Sequence, residues 1–123
     1  MKLALVVDDI ATNRKLLKML LNRQGLEVIE AADGQQAVEA FNSNNDIDIV
    51  FMDIMMPVMD GFEATAKIRQ SEGDADRAKA VKIVMVTAMD GQENITKGLD
   101  IGADVYITKP YRASEIMAVL ESF

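Results

Sequence analysis

Short apolar runs alternate with longer stretches of helical spacing, and the alternation occurs five times along the chain. Leu3 to Val7, Leu26 to Ile29, Ile47 to Met52, Val81 to Val86 and Val105 to Ile107 predict strands. Between and after them the apolar residues recur every three or four positions: Leu17, Leu20 and Leu21 share one face of the first helix, and Ile116, Val119, Leu120 and Phe123 one face of the last. The string is (βα)5. Parallel strands joined by helices form a sheet covered on both faces, and right-handed crossovers restrict it to a few doubly wound orders, so the fold class is α/β with a parallel five-stranded sheet. Leu3 to Val7 is apolar throughout and Val81 to Val86 nearly so, which suits central strands. The second run carries Glu27 and is flanked by Glu30, and the fifth is short and mixed with Tyr106 and Thr108. Those two are predicted at the edges.

Three helix starts share one punctuation, an acidic N-cap with Glu or Gln three residues later: Asp33 with Gln36, Asp60 with Glu63, and Asp90 with Glu93. Glycine follows each acid and eases the turn. Ser71 to Lys79, with Gly73, Asp74 and Asp76, reads as a long exposed connection before the fourth strand. No repeat or low-complexity segment interrupts the chain, and residues 1–123 read as one domain. A chain of this size buries roughly two thirds of its unfolded surface, enough for a cooperative core without a disulfide or structural metal.

Composition then narrows the chemistry. The chain has 20 acidic and 13 basic side chains, a formal net charge of −7, and neither histidine nor cysteine. Thiolate zinc sites, Fe–S clusters, serine triads and zincin helices are excluded, which leaves carboxylate, hydroxyl and amine chemistry. A pI near 4.5 argues against direct binding of nucleic acid, whose phosphates need clustered Lys and Arg. No apolar run approaches the roughly 20 residues of a membrane span, and Met1-Lys2 leads into Leu3 without a signal-peptide pattern. A soluble cytoplasmic domain is the expectation.

Four of the five strands end on a reactive type of side chain: Asp8 and Asp9 after the first, Asp53 after the third, Thr87 after the fourth, and Lys109 after the fifth. In an open α/β sheet the carboxyl ends of the strands form the ligand crevice, so these scattered residues converge. Any one alone reads as a capping loop, a turn or a solvated face; the coincidence of all four points to a site. Three carboxylates brought together repel, and a hard divalent ion such as Mg²⁺ relieves the repulsion with oxygen ligands. The chemistry this suggests is phosphoryl transfer, with Asp53 as nucleophile, Asp8 and Asp9 placed to hold metal, and a lysine and a hydroxyl on the phosphoryl oxygens.

The segments Val6-Val7-Asp8-Asp9, Met52-Asp53-Ile54-Met55-Met56-Pro57-Val58-Met59-Asp60-Gly61, Val86-Thr87-Ala88 and Lys109-Pro110 resemble, in order and spacing, the receiver domain of two-component response regulators. The resemblance covers essentially the whole chain and implies the flavodoxin-like order 2-1-3-4-5. It implies that Asp53 is the phospho-acceptor, that Asp9 and the Met55 carbonyl join it on Mg²⁺, and that Asp8 holds the metal through water. Thr87 and Lys109 would contact the phosphoryl oxygens, and the Lys109-Pro110 bond would be cis. Tyr106 falls where the family carries a switch aromatic, expected to turn inward when Thr87 is drawn toward the phosphoryl group and so to remodel the surface of the fourth helix, fifth strand and fifth helix. Tyr111 stands where phenylalanine is commoner in the family, a swap that preserves an apolar body. The implied partners are a sensor histidine kinase or histidine phosphotransfer protein and a downstream protein target. Met55 and Met89, two residues beyond Asp53 and Thr87, stand where the family's side chains border the path of the hydrolytic water.

Met52, Met55, Met56 and Met59 crowd one segment, but without Cys or His beside them packing and an adaptable surface outweigh a soft-metal site. A phosphatase with an Asp nucleophile on a Rossmann-like sheet needs a second acid two residues on, where Ile10 stands, and a flavodoxin-like FMN carrier needs a hydroxyl- and glycine-rich loop in place of Asp8 to Asn13. The remaining alternative is a phosphorylation-independent receiver-fold interaction module, which has no use for the acid, threonine and lysine set. The Met-rich segment resembles receivers attached to hybrid kinases, whereas Met1-Lys2 opening on the first strand reads as the start of a stand-alone regulator.

Overall fold

The computed structural model describes residues 1–74 and 80–123. The elements run β1 (Leu3–Val7), α1 (Ala11–Arg23), β2 (Glu27–Ala31), α2 (Gly34–Ser43), β3 (Ile49–Met52), α3 (Gly61–Asp74), β4 (Lys82–Thr87), α4 (Gln92–Ile101), β5 (Val105–Thr108) and α5 (Ala113–Ser122). All four strand pairings are parallel, in the order β2-β1-β3-β4-β5, with the two polar-interrupted strands at the edges as their composition demands.

Side chains alternate faces along a strand, and the core divides accordingly. Leu5, Val7, Val50, Met52, Ile83 and Met85 point to one face, under Ala37 and Phe41 of α2 and Phe62, Ala64 and Ile68 of α3. Ala4, Val6, Ile49, Phe51, Val84 and Val86 point to the other, under Leu17 and Leu21 of α1 and Ile116 and Val119 of α5. Both faces of the central strands are dry, hence their unbroken apolar runs.

Asp33 and Asp60 cap as expected, accepting the Gln36 and Glu63 N–H groups at 2.8 and 2.9 Å. Asp90 does not. The N-cap of α4 is Gly91 at φ 94°, a left-handed conformation that glycine adopts freely, and no side chain caps it. The predicted connection at Ser71 to Lys79 is corrected in its first part: α3 continues through Asp74, because Arg69 bonds Glu72 on the next turn. Residues 75–79 lie outside the described residues. Phe123 is not on the buried face of α5 but exposed at its end, with the Lys82 ammonium 5.2 Å from its ring centroid.

Candidate functional site

Parallel pairing aligns the carboxyl ends of β1, β3, β4 and β5 on one rim, where the residues following each strand meet. Asp8, Asp9 and Asp53 each bring a carboxylate oxygen within 4.8 Å of the others. Asp8 and Asp53 are buried and Asp9 is exposed, so the cluster opens to solvent on one side. Lys109 arrives from the end of β5 and donates to Asp8 Oδ2 at 2.7 Å and to Asp53 Oδ2 at 3.1 Å. The ammonium is thus shared between the two buried acids, with Asp8 the shorter contact.

Main-chain donors fix both buried acids. Ile54 N–H donates to Asp53 Oδ1 at 2.7 Å, and Ile10 N–H to Asp8 Oδ1 at 2.9 Å. Gly61 is required behind Asp53, since a Cβ there would collide with the Asp53 carbonyl. Burial pushes the Asp53 carboxyl above its usual range and the Asp8 charge adds to this, against the opposing pull of Lys109. Burial also acts to lower the Lys109 pKa, but the hydrogen bond to Asp8 and the charge of Asp53 outweigh it and the ammonium is strengthened. Both shifts have one meaning. One ammonium is held by two carboxylates and does not offset the burial of Asp53, which therefore favours a proton, or a further cation, beside it.

All-oxygen donors at this spacing, with one acid facing solvent, fit a hard divalent ion that keeps part of its water. Met55, whose carbonyl the sequence reading adds to the ligands, is 65 % exposed and lines a cavity with Asp9, Asp60, Met89 and Lys97.

Thr87 is fully buried, and its Oγ1 accepts the Met89 N–H at 3.2 Å. The Tyr106 hydroxyl donates to the Met89 carbonyl at 2.6 Å, so Thr87 and Tyr106 both bond the main chain of one residue, Met89. The Tyr106 ring is already half-buried, packed against the first core cluster over Gly98, where a Cβ would strike both the ring and Met85. Gly98 went unread in the sequence because nothing local marks it; its importance arises only when α4 packs on β5. The Lys109-Pro110 bond is cis, and Tyr111 is half-buried against the second core cluster.

A family model described as the response regulator receiver domain matches residues 4–121. The chain belongs to that family. It is similar, at 38 % identity over 92 % of its length, to the transcriptional regulatory protein SrrA of Staphylococcus aureus, and spans 44 % of the length of that relative. Among solved structures it resembles Vibrio cholerae chemotaxis protein CheY4, with a TM-score of 0.87 and 30 % identity over 99 % of this chain and 98 % of that one. The receiver domain of the Pseudomonas aeruginosa sensor histidine kinase PA1611, which has a magnesium ion coordinated in its active-site cleft, superposes with a TM-score of 0.86 at 30 % identity over 98 % of this chain and 95 % of that one. Phosphorylation at an aspartate and Mg²⁺ binding in an acidic pocket are general to receiver domains, and this chain has the acidic cluster. No helix among the described residues is long and apolar enough to cross a membrane.

Proposed function

We propose that this receiver domain accepts a phosphoryl group on Asp53 from a phosphohistidine of a partner kinase or phosphotransfer protein, and that the modification resets the α4-β5-α5 surface toward a downstream protein. The observation that carries this reading is the shared lysine: Lys109 bridges Asp8 and Asp53 beneath an open acidic cluster. The chain has no histidine of its own to act as donor.

The Ile54 N–H fixes the Asp53 rotamer, leaving the second oxygen directed to Lys109. A carboxylate oxygen of Asp53 attacks phosphorus, the donor's N–P bond breaks, and the imidazole leaves as the Asp53 acyl phosphate forms. The Lys109 ammonium, 3.1 Å from Asp53 Oδ2, is within reach of the new phosphoryl oxygens and offsets part of their charge. Asp9, Asp53 and the Met55 carbonyl, with Asp8 in support, would hold Mg²⁺, which would supply further neutralisation of those oxygens. Thr87 gives up the Met89 N–H for a phosphoryl oxygen, and Met89 passes the shift to Tyr106 through the bond between them.

Incubation with a small phosphodonor and Mg²⁺ is expected to label the wild type and leave Asp53→Asn unlabelled. Full labelling of Asp53→Asn, or undiminished labelling in excess chelator, contradicts the mechanism; failure of the wild type to label or to bind a phosphoryl analogue leaves the phosphorylation-independent interaction module. Lys109→Ala is expected to label but to lose the change in NMR shifts around Tyr106 on adding the analogue.

A further inference from the structure

The loop carrying Asp8 and Asp9 ends at Ile10, the N-cap of α1, whose side chain makes no capping bond. Hydrogen bonds from three directions hold it instead. Asp8 N–H donates to the Ala31 carbonyl at 3.1 Å, Ile10 N–H donates to Asp8 Oδ1 at 2.9 Å, and Arg14 Nη1 donates to the Asp8 carbonyl at 2.8 Å. Arg14 sits on the first turn of α1, its own N–H donating to the Ile10 carbonyl at 3.1 Å. Its Nε donates to Glu30 on the edge strand β2 at 3.2 Å. One side chain therefore joins the helix start, the acidic loop and the sheet edge. Glu30 is a firm anchor, since hydrogen bonds from Lys15 and Arg14 and the charge of Lys18 hold its carboxyl below the usual range.

We propose that Arg14 is a positioning residue for the cation site. By fixing the Asp8 carbonyl it fixes the peptide that leads into Asp9, and with it the spacing of the Asp8, Asp9 and Asp53 carboxylates. The inference rests on the reading above that these carboxylates hold a divalent ion. Groups that orient metal ligands without touching the metal typically change affinity by about 10- to 100-fold when removed. The planar guanidinium is needed because its fork reaches Glu30 and the Asp8 carbonyl together, which a point-charge lysine does not reproduce.

Other roles for Arg14 predict a different sign. A purely electrostatic role makes Arg14→Ala bind Mg²⁺ more tightly, because a cation leaves the neighbourhood of an acidic site. A purely structural role lowers the melting temperature and leaves the affinity of the folded protein unchanged. Positioning weakens binding in Arg14→Ala and equally in Arg14→Lys, where the charge is kept.

The experiment is a Mg²⁺ titration followed by NMR amide shifts, at constant ionic strength, of the wild type, Asp9→Asn, Arg14→Ala, Arg14→Lys and Glu30→Gln, with thermal melts alongside. Both Arg14 variants are expected to bind about tenfold more weakly or worse, and Glu30→Gln to lose less. Equal or tighter binding by the folded Arg14→Lys protein overturns the inference, and this variant together with Glu30→Gln decides the matter if Arg14→Ala does not fold. A wild type whose titration is indifferent to Asp9→Asn overturns the cation reading itself, a separate result.

Discussion

At the amino end of the sheet Arg69 meets two carboxylates and two carbonyls, whereas at the carboxyl end Lys109 bridges two buried carboxylates with a third alongside. Arg69 donates to Glu72, to Asp104 and to the carbonyls of Val81 and Gly102 at 2.7–3.0 Å. Glu72 and Asp104 in turn accept the Val81 and Ile83 N–H groups, so the clamp ties α3, β4, the end of α4 and the start of β5, with each carboxylate bonded both to the guanidinium and to a main-chain N–H. The Lys109 cluster carries the larger excess of negative charge, three carboxylates to one ammonium against two to one guanidinium, and two of its acids are buried. A satisfied network stabilises a fold, and an unsatisfied one stores affinity for whatever completes it.

The largest expected contrast concerns the proposed acyl phosphate. Met55 and Met89 line one cavity beside Asp9, and neither thioether can orient or deprotonate a water. Where positioned polar groups assist such a step they contribute on the order of 10²-fold. The double variant Met55→Asn, Met89→Glu is therefore expected to lose Asp53 phosphate faster by up to about that factor, measured with no kinase or phosphatase present. Equal or slower decay would show that these two side chains only pack the rim.

Next in size is the clamp. Arg69→Ala strands Glu72, whose side chain is 10 % exposed, together with Asp104 and two carbonyls. Breaking a fully buried pair costs about 3–5 kcal/mol, and the partial exposure here reduces the expected loss to about 2 kcal/mol by urea unfolding. A loss below 0.5 kcal/mol, roughly the range of ordinary surface substitutions, would remove the contrast between the two ends.

At the carboxyl end the sign reverses. The folded-state pKa of Asp53 lies above its unfolded value, so the fold disfavours the charged form and its ionisation destabilises the protein at neutral pH. That penalty is relieved as pH falls through the folded pKa. Asp53→Asn is expected to raise stability at pH 7 without Mg²⁺ by about 1 kcal/mol, within the usual gain from relaxing a functional site, and the gain should fade as pH falls through the folded pKa and be gone below about pH 4, the unfolded value. A gain that persists unchanged into acid would have another cause.

How far the sequence disclosed these two ends depends on what each is made of. The central strands were legible because burial on both faces leaves an unbroken apolar run, and the edges because Glu27 and Tyr106 interrupt theirs. The strand-end acids and Lys109 were legible because parallel topology alone brings them together. The clamp was not: Gly73 and Asp74 look like a loop until Arg69 reaches Glu72, and Asp104 is joined to Arg69 across 35 residues. Arg14 and Gly98 were missed for the same reason, since their partners are set by helix packing and not by local pattern. Asp90 misled because an acid followed by glycine looks like a cap, while the glycine itself takes the N-cap position.

The smallest prediction compares one backbone conformation at the two ends. The turn between α1 and β2, at the amino end, uses Gly25 at φ 87°, where no Cβ resists the left-handed region. The loop after β3, at the carboxyl end, uses Val58 at φ 71°, with the Met59 N–H donating to the Pro57 carbonyl at 2.7 Å across it, a tight turn of the strained γ type. A left-handed conformation costs an ordinary residue about 1–2 kcal/mol, and β-branching adds crowding. Glycine at 58 recovers that and loses about 0.5–1 kcal/mol of chain entropy, while no packing is forfeited because Val58 is 79 % exposed. Val58→Gly is thus expected to gain about 0.5 kcal/mol, and Gly25→Val to lose about 1 kcal/mol or more, in paired denaturant melts. Opposite signs in the two variants would place backbone strain, like unbalanced charge, at the rim that carries the site. A destabilised Val58→Gly would mean instead that the valine side chain is held by contacts worth more than its strain.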